Sequence, residues 1–222
     1  MTTFSQHFPS NELTNVAPSN GMRTATSFGF ALAIVGVLIL EPGGGMPLPF
    51  LEWTGAFLLA VITSDLRDRR IPNGITFPSL AIALTLAWDA GGSVMLRDAV
   101  VGMGAIFLIL FAAFAARAIG AGDVKALMVL GALWGPGYVI PALPYMAGAG
   151  ALLALARVAV NGELLEMLSR WFDSLKLSIL NRNICYVRPE VGSAAASGIP
   201  FAVAIGLGAI AFQWTLGFGG QF

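Results

Sequence analysis

The sequence predicts an all-α protein, a polytopic transmembrane bundle of six to seven helices. Hydrophobic residues make up 57% of the 222-residue chain and charged residues only 11%, with a mean hydropathy of +0.80. Soluble domains carry roughly 25% charged residues, so the low share here indicates a protein that exposes most of its surface to lipid. The apolar residues also form separate runs, several of which approach the roughly 20 residues that a helix needs to cross a bilayer.

Seven apolar runs follow one another along the chain. The predicted spans are residues 25–40, 50–64, 75–88, 100–116, 124–134, 138–156 and 199–216. The fifth run is too short to cross a bilayer alone, and a Gly-Pro-Gly sequence at 135–137 interrupts it. It either joins the sixth run or forms a half-helix, so the prediction stays at six or seven spans.

Two segments differ from these runs. Residues 1–24 are polar and predict a disordered cytoplasmic tail in front of a transmembrane domain at 25–216. Residues 162–180 place apolar and charged side chains on opposite faces of a helix. They predict a cytoplasmic amphipathic helix, which either lies on the lipid bilayer surface or docks on the bundle.

The distribution of basic residues predicts the orientation. With the N-terminus in the cytoplasm and seven crossings, all of the 12 basic residues except Arg97 lie on the cytoplasmic side. Such asymmetry follows the positive-inside rule. We therefore expect a multi-pass protein of the cell inner membrane.

Composition also limits the chemistry. A net charge of zero gives no general case for a nucleic-acid partner. The single histidine, His7, and the single cysteine, Cys185, make a His-dependent triad and a Cys-x-x-Cys zinc site improbable. We expect neither a metal nor a cofactor, and acid–base chemistry is left to carboxylates, lysine and tyrosine.

Two aspartates are the candidate catalytic residues. Asp65 ends the apolar run 51–64, and Asp123 closes a Gly-x-Gly-Asp sequence at 120–123. Carboxylates at the edge of a bilayer are costly and mark functional sites by default. The span prediction puts both at the cytoplasmic face, Asp65 near a helix C-terminus and Asp123 near a helix N-terminus. If they meet, they share a proton, and one polarises a peptide carbonyl while the other activates water. The helix dipoles favour Asp65 as the protonated partner.

Neighbouring residues are predicted to support this site. Gly120 and Gly122 permit unusual backbone angles and close approach of a substrate chain. Lys125 could pair with a carboxylate or with a lipid phosphate. Pro72 rigidifies the chain before the next span, and Asn73 could cap that span.

The motifs resemble those of the type IV prepilin peptidases, which are membrane aspartic endopeptidases of the Gly-x-Gly-Asp class. The resemblance rests on Asp65 with Ile-Pro-Asn at 71–73, and on Gly-x-Gly-Asp-x-Lys at 120–125. The Gly-Ile-Pro-Phe-Ala sequence at 198–202 is also similar to the start of the family's last span. The resemblance implies that Asp65 and Asp123 form the catalytic pair. It also implies a prepilin substrate, cut at the cytoplasmic edge of its hydrophobic segment.

The chain lacks the paired Cys-x-x-Cys motifs of the larger, bifunctional members of that family. In this it resembles the short peptidases of tight-adherence (Flp) pilus systems and, more distantly, archaeal preflagellin peptidases. For such a member the resemblance implies leader removal without methylation of the new N-terminus.

Other interpretations stay open at this point. Presenilin-like and signal-peptide-peptidase-like proteases share Gly-x-Gly-Asp, but they carry Pro-Ala-Leu in the last span, whereas here it stands at 141–143. A non-catalytic transporter or channel could bind a cation with the two aspartates. A scaffold subunit of a secretion machine would need neither carboxylate. Taken alone, Asp65 ahead of three arginines is also typical of an ion-paired interfacial anchor.

Overall fold

The structure is a computed structural model that describes residues 27–29, 31–36, 48–181 and 200–219. Within these ranges the secondary structure is helical and contains no strand, which confirms the all-α prediction. The helices are α1 (Ser27–Gly36), α2 (Leu48–Asp68), α3 (Asn73–Ala115), α4 (Ala121–Val160), α5 (Leu164–Asn181) and α6 (Phe201–Gly219). The predicted tail 1–24, with His7, lies outside the described residues, as does Cys185.

Helix α3 is divided into two arms by a pair of glycines. Its 43 residues would span about 65 Å if straight, roughly twice the hydrocarbon thickness of a bilayer. Gly91 and Gly92 break the helical backbone, and Gly92 has φ +59°, a left-handed conformation that glycine adopts without strain. The sequence predicted a longer connection between the runs 75–88 and 100–116, but two residues are sufficient.

Helix α4 is divided in the same way at Gly135. This residue has φ +68°, at the first position of the predicted Gly-Pro-Gly interruption. Pro136 begins the second arm, where its missing N–H costs no helical hydrogen bond. The run 124–134 therefore forms a separate first arm.

The arms pack antiparallel through glycines. A Cβ added to Gly131 of α4 would lie 2.6 Å from the carbonyl oxygen of Gly102 in α3, so the two backbones touch. Gly150 in the second arm of α4 packs on Phe201 and Ala204 of α6. These contacts put the N-termini of α4 and α6 at one end of the bundle, which we call the site end.

The opposite end is closed by packing between α2 and α4. The indole N–H of Trp134 donates a buried hydrogen bond of 2.9 Å to the hydroxyl of Thr54.

Helices α3 and α4 are long and apolar enough to cross a membrane, and α1 and α6 are shorter apolar helices. The number of crossings, six or seven, stays a prediction.

Helix α5, Leu164–Asn181, covers most of the stretch 162–180 that the sequence singled out, and its place on the membrane surface stays a prediction. It follows the second arm of α4, so it lies at the site end. Leu165, Trp171 and Phe172 on its apolar face are all more than half exposed. No other described helix covers this face.

Candidate active site

The two candidate aspartates line the same cavity at the site end. The cavity has a volume of about 390 Å³, and Asp65 and Asp123 are both in its wall. The rest of the wall is Arg69, Arg70, Ile71, Gly120, Gly122 and Phe201. Residues from α2, α4, α6 and the α2–α3 connection thus meet at one place, as expected if the aspartates act together.

Asp65 lies in the last turn of α2 and is held by a different helix. Its carbonyl oxygen accepts the N–H of Arg69 at 3.0 Å, which closes that turn. Its side chain is buried, and Oδ2 accepts the backbone N–H of Ala202 in α6 at 3.1 Å. The sequence predicted the position near a helix C-terminus but not this hydrogen bond.

Asp123 is in the first turn of α4, as predicted. Gly120 is the N-cap residue, and the Asp123 carboxylate accepts a hydrogen bond from its backbone. The third helical residue of a capping box makes this backward contact to the N-cap N–H. The local sequence alone therefore orients this carboxylate.

The cavity concentrates charge of both signs. The carboxylates of Asp65 and Asp123 interact electrostatically, and neighbouring like charges disfavour ionisation of both groups at once. The guanidinium of Arg69 attracts Asp65. Because two interacting carboxylates titrate together, the pair is suited to hold one proton between them.

The two supporting glycines have different surroundings. A Cβ on Gly120 would lie 3.0 Å from Oδ2 of Asp123, so glycine leaves room for the folded-back carboxylate. A Cβ on Gly122 would lie 3.2 Å from Cβ of Ile71. Ile71 therefore occupies the space on the Cβ side of Gly122, and the expected approach of a substrate chain to this backbone stays a prediction.

The remaining predicted residues join the starts of α3 and α4. Pro72 is the N-cap residue of α3, and its extended backbone sets where that helix begins. The expected cap by Asn73 is wrong, since Asn73 is already inside the helix. Its side-chain oxygen instead accepts a 2.9 Å hydrogen bond from Nζ of Lys125, and that ammonium also lies 5.5 Å from the ring of Phe77. Lys125 thus contacts an amide and an aromatic ring where a carboxylate or lipid phosphate was expected.

Phe201 and Ala202 are the site residues that residue-by-residue reasoning missed. One lines the cavity and the other binds Asp65. Two features of the sequence pointed to this segment. Pro200 marks the start of a helix, and the sequence 198–202 is similar to the start of the last span of the prepilin peptidases. Neither indicated that this helix start would meet Asp65, which is 137 residues away along the chain.

Comparison with known proteins agrees with this geometry. The model of the type IV leader peptidase family matches residues 53–155. The matched stretch contains both aspartates, the Ile-Pro-Asn sequence and the Gly-x-Gly-Asp sequence. Neither the curated proteins nor the solved structures include a match to the chain. Over these motifs the chain is similar to the type IV leader peptidase family, and the match is consistent with a protease of that family.

Proposed function

We propose that the protein is a membrane-embedded aspartic endopeptidase that removes the leader peptides of type IV prepilins, Flp-like prepilins among them. The observation that carries the proposal is the shared cavity. Asp65 and Asp123 come from different helices, 58 positions apart in sequence, yet both are in the wall of one cavity at the site end.

The proposed mechanism uses the pair with a single proton. The ionised carboxylate takes a proton from water as the water oxygen attacks the scissile carbonyl carbon. The protonated carboxyl donates its hydrogen bond to the carbonyl oxygen. The tetrahedral intermediate then collapses, the C–N bond breaks, and the leaving nitrogen receives a proton from the pair. The reaction consumes one water and needs no covalent intermediate.

The position of the cavity supports a substrate cut at the edge of a hydrophobic segment. Both aspartates lie within one turn of a helix end, where an apolar bundle meets the polar connections. A peptide bond just outside a membrane-spanning segment would reach such a site. The skewed distribution of basic residues favours the cytoplasmic face of the inner membrane.

The same layout bears on the presenilin-like alternative. The Pro-Ala-Leu sequence at 141–143 lies in the second arm of α4, nearer its start at Gly135 than its end at Val160. It is therefore nearer the opposite end than the site end. This placement favours the prepilin branch for the proposed activity.

Co-expression with a type IV prepilin tests the proposal. Each of Asp65→Asn and Asp123→Asn is expected to leave the prepilin at its uncut mass, because either change removes one half of the dyad. Asp68→Asn is the matched control, since Asp68 is an exposed carboxylate on the same helix. Mass spectrometry of the pilin reports cleavage, and immunoblotting of membranes reports accumulation of each variant. Normal leader removal by either single variant would rule out the dyad.

A further inference from the structure

The first turn of α6 binds Asp65 from outside its own helix. Ala202 is the second residue of α6, and it is fully buried. The N–H groups in a first helical turn have no carbonyl partner within the helix. The Ala202 N–H can therefore donate to Oδ2 of Asp65, at 3.1 Å, without loosening α6. The positive end of the α6 dipole also favours a negative group there.

The attraction between α6 and the Asp65 carboxylate comes from backbone dipoles alone, since α6 carries no titratable residue between Phe201 and Gly219. The charged groups that face Asp65 come from the other elements around the cavity. These are Asp123 at the start of α4, and Arg69 and Arg70 between α2 and α3.

Close packing fixes where this turn lies. A Cβ on Gly208 of α6 would lie 2.8 Å from the carbonyl carbon of Tyr145, so the α6 backbone rests directly on α4. Nearer the site end, the ring of Phe201 lies 3.5 Å from the Cβ position of Gly150. In the first arm of α4, which carries Asp123, Trp134 stacks on Phe212 of α6. The packing of α6 on both arms of α4 therefore fixes the N–H that binds Asp65 relative to the other half of the pair.

We propose that the first turn of α6 is a positioning element for the dyad. The Ala202 N–H holds Oδ2 of Asp65, turns Oδ1 toward the attacking water, and keeps Asp65 as the ionised partner while Asp123 carries the proton. This assignment rests on the proposed function. It reverses the expectation drawn from the α2 dipole, because the N-terminus of α6 offsets the C-terminus of α2 at the same carboxylate.

Ala202→Pro tests the proposal because it removes the N–H. Proline is tolerated in a first helical turn, where that N–H has no helical partner. The matched control is Ala202→Gly, which also alters this buried side chain, by removing its methyl group, but keeps the N–H. We expect kcat of the proline variant to fall by about tenfold or more, with KM within about twofold. Since a hydrogen bond to a charged form favours it, the acidic limb of the kcat–pH profile should move upward by about one pH unit. The glycine variant should keep the acidic limb of the kcat–pH profile where the wild type has it.

The proposal would be overturned if the proline and glycine variants had the same kcat and the same acidic limb of the kcat–pH profile. An equal loss of kcat in both variants, with no shift of the acidic limb in either, would also overturn it. If the proline variant does not accumulate, Ala202 is replaced by lactic acid, which keeps the methyl group but has an ester oxygen where alanine has the N–H. This variant must then show the same loss of kcat and the same upward shift of the acidic limb. Asp65→Asn in the same assay separates this test from that of the proposed function. Cleavage by Asp65→Asn refutes the dyad itself. An inactive Asp65→Asn beside a normal Ala202→Pro refutes only the role of α6.

Discussion

The glycine contact between α3 and α4 gives a sharp test of how packing positions the site. A methyl group at Gly102 would overlap the carbonyl oxygen of Gly131 and lie 2.9 Å from the carbonyl carbon of Gly135. Both obstacles are backbone atoms, which cannot move aside as a side chain can. Gly102→Ala therefore forces the two helices apart by roughly 1 Å, because ordinary carbon contacts begin near 3.5 Å.

The expected magnitude follows from this overlap. Overpacking of a tight interior contact costs about 1–3 kcal/mol, and in a chain of this length each kcal/mol lowers Tm by about 2–4 °C. Gly131 is eight residues, or about 12 Å, along α4 from Asp123. A shift of this arm displaces the Asp123 carboxylate, and a displacement near 1 Å costs up to about 100-fold in rate.

The assay compares Gly102→Ala with Gly104→Ala, which is on the same helix. A Cβ on Gly104 meets nothing within 4 Å, so that variant should match or slightly exceed the wild type in stability. Thermal unfolding of the purified protein in detergent gives Tm, and leader removal gives the rate. Identical Tm and rate for the two variants would refute the close contact and its effect on Asp123.

Two further predictions concern the loop beside the cavity and the surface helix. Gly122→Ala should slow leader removal several-fold, because its methyl group presses on Ile71, whereas Gly74→Ala, at the same position of α3 and with open space, should stay within about twofold. Equal rates for the two variants would contradict this. Trp171 in α5 is 68% exposed, and we expect lipid to cover it. Brominated lipids should quench wild-type fluorescence more than that of Trp171→Phe in vesicles, and equal quenching would show that α5 lies away from the bilayer.

The sequence was sufficient to predict the features that depend on local chemistry. Apolar runs predicted the helices, and glycine with proline predicted the break at Gly135. Asp123 was placed in the first turn of its helix because the preceding glycine motif ends one segment and begins another. The span prediction put Asp65 and Asp123 at the same face, and the resemblance implied that they form a pair; the common cavity agrees with both.

Features that depend on contacts between distant segments were not predictable in this way. The hydrogen bond from Ala202 to Asp65 joins two helices whose relative position no local pattern specifies. Likewise, Asn73 was expected to cap its own helix, but an ammonium 52 positions later in sequence provides a different partner. Small polar side chains and free backbone N–H groups can bind many partners, and only packing selects among them.

The most direct test of the account compares cleavage rates of Asp65→Asn, Asp123→Asn and the double variant with the same purified prepilin. If the two carboxylates act as one unit, each single variant should lose at least about 1000-fold in kcat/KM, and the double variant should be no slower than either. Single losses that multiply in the double variant would mean that the aspartates contribute independently, and would contradict a shared proton. A rate near wild type in either single variant would contradict the dyad outright.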